Sequence, residues 1–240
     1  MKRVLTAVFL LPFVILLVFK ASPFYFFFFL SLIILAGLYE FFGMLARGRQ
    51  VCSLPLGLII GWFLSLTFFL DRVDLTYLLI TLAPISLLTG RLIQRGDLLE
   101  ATQEAFNTFF GIFYIGWLLS HFLLLRGLES GESYVFFVLL VTWFGDTGAY
   151  YGGRYLGRHK LAVRISPQKT VEGALAGLMG SLLGAWIVRQ YFLPSWGVGR
   201  FLGAGLLLGG LGQVGDLSES LIKRGMGTKD SGGLLPGHGG

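Results

Sequence analysis

Between Gln213 and Gly240 the chain gathers Asp216, Glu219, Ser220, Lys223, Arg224, Lys229, Asp230 and His238 into one short segment, after a long and mostly apolar sequence. A helix over Leu211 to Arg224, at about 3.6 residues per turn, puts Asp216, Ser220 and Lys223 on one face with Glu219 at its edge. A carboxylate, a hydroxyl and an ammonium pointing the same way suit a phosphate and a divalent metal. Gly225 and Gly227 predict the end of that helix. The glycine-rich run from Ser231 to Gly240 lets backbone N–H groups approach a ligand closely.

A second polar segment, Asp146 to Gly173, suits related chemistry. Asp146 is expected at the end of an apolar span. It is followed by an acid-free loop carrying Arg154, Arg158, His159, Lys160 and Arg164, then by Ser166, Pro167, Lys169 and Thr170 at the expected start of the next helix. Hydroxyls and a lysine at a helix N-terminus attract phosphate. Anchoring by positive charge together with an ordinary helix cap accounts for the arginines. It does not account for Asp146 or for the Ser-Pro-x-Lys-Thr pattern.

Other features carry less. Gly210, Gly212 and Gly215 fit G-x-G-x-x-G, but they lie inside an apolar helical stretch with no preceding strand, which argues against a dinucleotide site. Glu40 lies within an apolar run, where an ionisable group is costly and faces the protein interior, so it is read as structural or as lining a lipid access path. His121 and His159 are single histidines and read as packing or surface residues. The one cysteine, Cys52, excludes a disulfide framework.

The elements that must position these residues are membrane helices. Hydrophobic residues make up 55% of the chain and charged residues 13%, about half the charged share of ordinary soluble domains. Apolar segments at Val4–Val18, Phe24–Leu45, Leu54–Leu70, Leu75–Leu92, Phe106–Leu125, Tyr134–Tyr151, Val171–Phe192 and Phe201–Leu221 predict an all-α, polytopic bundle of about eight spans, each roughly 20 residues long. With the N-terminus inside, 14 of the 19 Lys and Arg residues fall on the cytoplasmic side and alternate correctly through the loops. Both polar segments then face the cytoplasm. The net charge of +6 sits in short clusters between apolar runs, which favours anionic phospholipid over nucleic acid as the partner.

Composition changes near Phe144: 21 of the 23 Phe lie up to that point, and 24 of the 35 Gly lie after it. Residues 1–143 are therefore expected to form an aromatic-rich membrane scaffold, and residues 144–240 a glycine-rich part that carries the site. Gly173/Gly177, Gly180/Gly184, Gly199/Gly203 and Gly205/Gly209 follow the small-xxx-small spacing that lets membrane helices approach closely.

The run Ser220-Leu-Ile-Lys223-Arg224, Lys229-Asp230-Ser-Gly232, Leu235-Pro236-Gly-His238-Gly239-Gly240 resembles the signature of the phosphatidate cytidylyltransferases. Asp146-Thr-Gly-Ala-Tyr150 through Ser166-Pro167-Gln-Lys169-Thr170-Val-Glu172-Gly173 is similar to that family's other marked stretch. The resemblance implies that CTP and phosphatidic acid react to give CDP-diacylglycerol and pyrophosphate, with a divalent metal, commonly Mg²⁺. Asp146 and Asp216 are the preferred metal ligands, with Asp230 and Glu219 in reserve. Lys223, Arg224 and Lys229 are expected to clamp phosphates, and Ser166, Lys169 and Thr170 to bind the nucleotide or the lipid head group. Ser220 and His238 are further substrate contacts, His238 on phosphate or pyrophosphate. A bacterial inner membrane is the expected setting, and a homodimer is one open outcome.

A polyprenol kinase that uses CTP, or a transporter for an anionic solute, are the alternatives. The family pattern continues beyond Gly240 with an Asp-Arg-x-Asp element, so the sequence is expected to be a truncated form with little turnover.

Overall fold

The computed structural model describes residues 2–92 and 97–233, with side chains from Leu10 onward. Its helices are α1 (Lys2–Lys20), α2 (Pro23–Arg47), α3 (Leu54–Phe69), α4 (Val73–Leu92), α5 (Leu98–Gly111), α6 (Leu118–Gly127), α7 (Gly131–Leu156), α8 (Val171–Tyr191) and α9 (Val198–Gly225). A π-helical stretch, Ile112–Trp117, makes α5 and α6 one continuous rod. The architecture is all-α except for one antiparallel hairpin, β1 (Lys160–Ala162) with β2 (Ser166–Thr170).

The expected apolar segments thus become helices at the expected places. Four are long and apolar enough to cross a membrane: α2, α4, the α5–α6 rod and α8. Residues Leu10–Lys20 of α1 and the whole of α3 are shorter apolar helices. Helices α7 and α9, which carry Asp146 and Asp216 and many glycines, fall outside those four. Large apolar side chains such as Phe28, Ile59, Leu82, Met179 and Leu207 stand exposed. A surface of that kind fits lipid rather than water.

The chain forms two compact units, residues 1–129 with 226–240, and residues 130–225. In the first, α2 buries an apolar stripe that includes Leu38, Phe41 and Phe42. Small residues opposite make room: a Cβ on Gly61 would lie 2.5 Å from Leu38 Cδ1, and one on Gly111 would lie 2.7 Å from Phe42 Cε1. Asp97 caps α5 by accepting from the Leu99 N–H at 2.9 Å. After α9 the chain turns at Gly227, whose φ of +67° is open to glycine at no steric cost.

In the second unit, α7 and α8 pack almost backbone to backbone. A Cβ on Gly148 would lie 2.6 Å from the Ala176 carbonyl oxygen, and one on Gly184 would lie 2.8 Å from that of Leu140. Helix α9 packs on α8 through Gly205 and Gly209, the latter against Ser181, whose hydroxyl donates to the Val141 carbonyl at 3.2 Å. Gly199 and Gly203, which share the same spacing, meet nothing within 4 Å among the described residues.

Two placements differ from expectation. Asp146 is not at a helix end, because α7 continues to Leu156, whereas α9 ends at Gly225 as expected, with Asp216 inside it. The glycines beyond Asp146 do not break α7, since Gly148 and Gly152 are close contacts with α8. Ser166 and Lys169 lie on β2 rather than in the first turn of a helix; only Thr170 is at the helix start, where it caps α8 by accepting from the Gly173 N–H at 3.1 Å.

Candidate active site

Within residues 130–225, α7, the hairpin, α8 and α9 enclose a cavity of about 770 Å³. Asp146 comes to it from α7, Ser166, Lys169 and Thr170 from β2, and Asp216 and Glu219 from α9. Each is held by a different neighbour. The close packing of α7 on α8 sets Asp146, the pairing of β2 with β1 sets Lys169, and the docking of α9 on α8 sets Asp216. Gln213, one turn before Asp216, donates its side-chain amide to the Ala174 carbonyl at 2.9 Å and ties α9 to α8.

Lys169 Nζ lies 2.6 Å from Asp216 Oδ2. The lysine side chain is 24% exposed and the carboxylate 55%. The nitrogen itself is sealed from solvent and, apart from that ion pair, meets no hydrogen-bond partner among the described residues. Asp146 stands within electrostatic reach of both Asp216 and Lys169. The arrangement is two carboxylates with one ammonium, on a cavity large enough for a ligand.

Among the described residues no three His, Cys, Asp or Glu side chains gather as a metal site. The carboxylates form a pair. One or two carboxylates, completed by substrate oxygens, is the usual protein share of a Mg²⁺ site. The donor set therefore fits Mg²⁺ held together with a phosphate-bearing substrate.

The remaining expected residues are placed elsewhere. Ser220 and Lys223 do not line the cavity, whereas Glu219, expected only at the edge of the face, does. Lys223 Nζ pairs with Glu219 Oε1 at 2.8 Å, one turn apart on α9. Arg224 Nε donates to the Ile165 carbonyl at 3.4 Å, from α9 to the turn of the hairpin. Lys229 and Asp230 are exposed in the segment after α9 and belong to the first compact unit. His238 lies outside the described residues.

Glu40 has a packing role in the first unit. Its carboxylate occupies the space that a Cβ on Gly232 would need, and Arg47 donates to the Ser231 carbonyl, so this part of α2 receives the segment after α9. His121 Nδ1–H donates to the Trp117 carbonyl at 2.8 Å, and the ring meets Phe68 and Trp117 edge-on, a packing role as expected. His159 is a surface residue, as expected, with a side chain 78% exposed, and its Nδ1 lies 2.5 Å from Glu172 Oε1.

Sequence reasoning passed over Glu172, Gln213 and Tyr150. Glu172 closes the loop before the hairpin, and Tyr150 lines the cavity while its hydroxyl accepts from Arg154 at 3.2 Å. Glu172 sits in the same Ser-Pro-x-Lys-Thr-x-Glu-Gly run as Lys169, and that shared run is the only signal the sequence offers for it.

A 113-residue stretch is 46% identical to the phosphatidate cytidylyltransferase of Staphylococcus aureus, covering 47% of this chain and 43% of that protein. The phosphatidate cytidylyltransferase of Brucella suis is 44% identical over 133 residues, 54% of this chain and 48% of that protein. The one from Staphylococcus epidermidis is 43% identical over 112 residues, 47% and 43% of the two chains. Each match spans a little under half of the relative's length. Residues 1–240 match the cytidylyltransferase family as a whole. The chain belongs to the cytidylyltransferase family.

Proposed function

We propose that this protein catalyses the reaction of CTP with phosphatidic acid, giving CDP-diacylglycerol and pyrophosphate. The observation that carries this reading is the sealed Lys169 ammonium beside Asp216 and within reach of Asp146, on the wall of a cavity of about 770 Å³. A buried ammonium with N–H groups to spare is suited to a phosphate oxygen, and two carboxylates at the same place suit the cation that accompanies a nucleoside triphosphate.

In the reaction an oxygen of the phosphatidate phosphate attacks the α-phosphorus of CTP. A P–O–P bond forms, the bond between the α-phosphorus and the bridging oxygen breaks, and pyrophosphate leaves with that oxygen. The attacking phosphate is already ionised at neutral pH, so no strong general base is needed. The difficulty is bringing two polyanions together in line. Lys169 neutralises phosphate charge from inside the cavity. An incoming phosphate competes with Asp216 for Lys169, which frees the carboxylate. Asp146 and Asp216 would hold Mg²⁺, which would supply charge screening for the phosphates and for the departing pyrophosphate. Ser166 and Thr170 contribute hydroxyl groups beside Lys169, Thr170 while capping α8. Arg224 and Lys223, on the last turns of α9, supply positive charge near the mouth, and Lys229, Asp230 and His238 are assigned to the same reaction from the family signature.

The N-terminus and both polar segments are assigned to the cytoplasmic side, where CTP is found, with the apolar helices in the membrane that supplies phosphatidate. The test is to incubate purified protein with labelled CTP, phosphatidate and Mg²⁺. One pyrophosphate released for each lipid-soluble cytidine product supports the reading. CDP formed without pyrophosphate would make it a lipid kinase, and no cytidine chemistry at all would overturn it.

A further inference from the structure

Four residues on either side of the hairpin are tied into a knot that the reaction itself does not use. The Glu172 carboxylate, in the first turn of α8, accepts from the backbone N–H of Arg158 at 3.0 Å and of His159 at 3.2 Å, and the His159 ring nitrogen lies 2.5 Å from its other oxygen. The Val171 N–H donates to the His159 carbonyl at 2.9 Å. A Cβ on Gly157 would lie 2.9 Å from Thr170 Oγ1, so the end of α7 sits directly on the cap of α8. The chain leaves α7 at Leu156 and returns to α8 at Val171, and the whole hairpin hangs between these two fixed points.

Besides this knot, the hairpin is held by the Arg224 Nε donation to the Ile165 carbonyl at 3.4 Å and by the Lys169–Asp216 pair. Strand β1 is three residues long, its pairing with β2 is irregular between Lys160 and Ala162, and the loop is rich in positive charge. A two-stranded hairpin is marginal by itself in water. Yet Lys169, whose ammonium reaches Asp216 in the cavity, is on β2, three residues before Glu172. A shift of the hairpin by about 1 Å would break a 2.6 Å ion pair, and misplacement on that scale is enough to cost about a hundredfold in rate.

We infer that Glu172 is a positioning residue: by gathering the Arg158 and His159 amides and the His159 ring onto one carboxylate, it fixes the hairpin and so sets Lys169 over the cavity. Glu172 does not touch the reacting atoms. Its effect on catalysis passes through Lys169. This role rests on the proposed reaction for its kinetic consequence, but not for the structural one.

The experiment has two arms on the full chain in lipid nanodiscs. In the first, hydrogen exchange at the Arg158 and His159 amides is compared between the wild type, Glu172→Ala and Glu172→Gln. Glu172→Ala is expected to exchange at least about tenfold faster at both amides, and Glu172→Gln less so, because its amide oxygen still accepts. Unchanged exchange in Glu172→Ala would overturn the inference. In the second arm, cytidine-lipid synthesis is measured in Glu172→Ala, Lys169→Met and the double variant. Positioning through Lys169 predicts that Glu172→Ala costs at least about tenfold in the wild-type background and almost nothing once Lys169 is gone. Losses that multiply independently would assign Glu172 a merely structural role and overturn the inference. A wild-type protein that makes no cytidine lipid would instead sink the proposed reaction, and CTP affinity measured in the same four proteins would then carry the cycle.

Discussion

Lys169 on β2 and Asp216 on α9 form an ion pair of 2.6 Å that closes one wall of the cavity, joining two elements 47 positions apart in sequence. The pair is asymmetric. The carboxylate is half open to solvent, while the ammonium nitrogen is sealed and has no other hydrogen-bond partner among the described residues. Removing either partner therefore has a different consequence. Without Lys169 the carboxylate is solvated, whereas without the Asp216 charge a buried ammonium is left uncompensated.

Asp216→Asn keeps the size of the side chain and removes its charge. Turnover is expected to fall at least about a hundredfold, in line with the several kcal/mol that a bound metal supplies to a charged transition state. Membrane insertion should survive, but the Lys169 ammonium left uncompensated costs stability, so turnover is compared per folded protein. The check is synthesis at saturating CTP across a Mg²⁺ titration. Turnover near that of the wild type at ordinary Mg²⁺ would remove Asp216 from the site. Glu219→Gln should reduce activity less, because Glu219 lines the cavity but already has Lys223 as its partner.

The glycines give a contrast that stability measurements can read. A methyl on Gly148 would press on the Ala176 backbone carbonyl at 2.6 Å, and backbone cannot rotate away. Gly148→Ala should destabilise the second unit by about 1–3 kcal/mol, the usual cost of overpacking. Gly210→Ala has nothing within 4 Å of the added methyl among the described residues. It should be neutral or stabilising by up to about 1 kcal/mol, since alanine is the better residue in a helix. Thermal unfolding in one detergent would compare the two directly. Equal effects of the two substitutions would mean that α7 and α8 are not in close contact.

These positions also show what the sequence could and could not tell. The helices were legible because apolar runs of the right length have few other solutions, and the small-xxx-small spacing correctly marked Gly173, Gly177, Gly180 and Gly184. The same spacing at Gly199 and Gly203 packs against nothing described, because spacing states that two glycines share a face but not which helix that face meets. The site residues were legible as types, while their partners were not. Asp216, Ser220 and Lys223 share a helical face in projection, yet Lys223 bends back to Glu219 and Ser220 stays off the cavity. The hairpin was hidden since a three-residue strand has no periodicity to detect, and Ser166 and Lys169 took the place of a helix start in the reading. Glu172 stood in the motif without a role, since two of its partners are backbone amides, which leave no mark on sequence, and the third, His159, is 13 positions away.

Gln213→Leu tests the brace between α9 and α8. The substitution keeps most of the volume and removes the donor to the Ala174 carbonyl. Inter-helical hydrogen bonds of this kind contribute about 0.6 kcal/mol, with an upper value near 1.7 kcal/mol. A loss of stability in that range, with a larger proportional loss of turnover because Asp216 is one turn further along α9, is the expected result. No change in either quantity would show that Gly205 and Gly209 suffice to set α9 on α8.

Cys52 allows the proposed topology to be tested without removing the native thiol. It is partly buried in the loop between α2 and α3, its Sγ is 3.7 Å from the Phe42 carbonyl, and burial, followed by the nearby Glu104 carboxylate, pushes its thiol above the usual cysteine range. Only the thiolate is nucleophilic, so labelling of Cys52 should be slow at pH 7 and rise as the pH climbs toward the raised value. Against that low background, Arg158→Cys should react with a membrane-impermeant maleimide from the cytoplasmic side alone, and Glu129→Cys, in the loop between α6 and α7, from the opposite side alone. Inside-out and right-side-out vesicles provide the two directions. Labelling of both positions from one face would overturn the alternation of charge through the loops. Rapid labelling of the wild type at pH 7 would instead show that Cys52 is open to solvent and that its thiol is not raised.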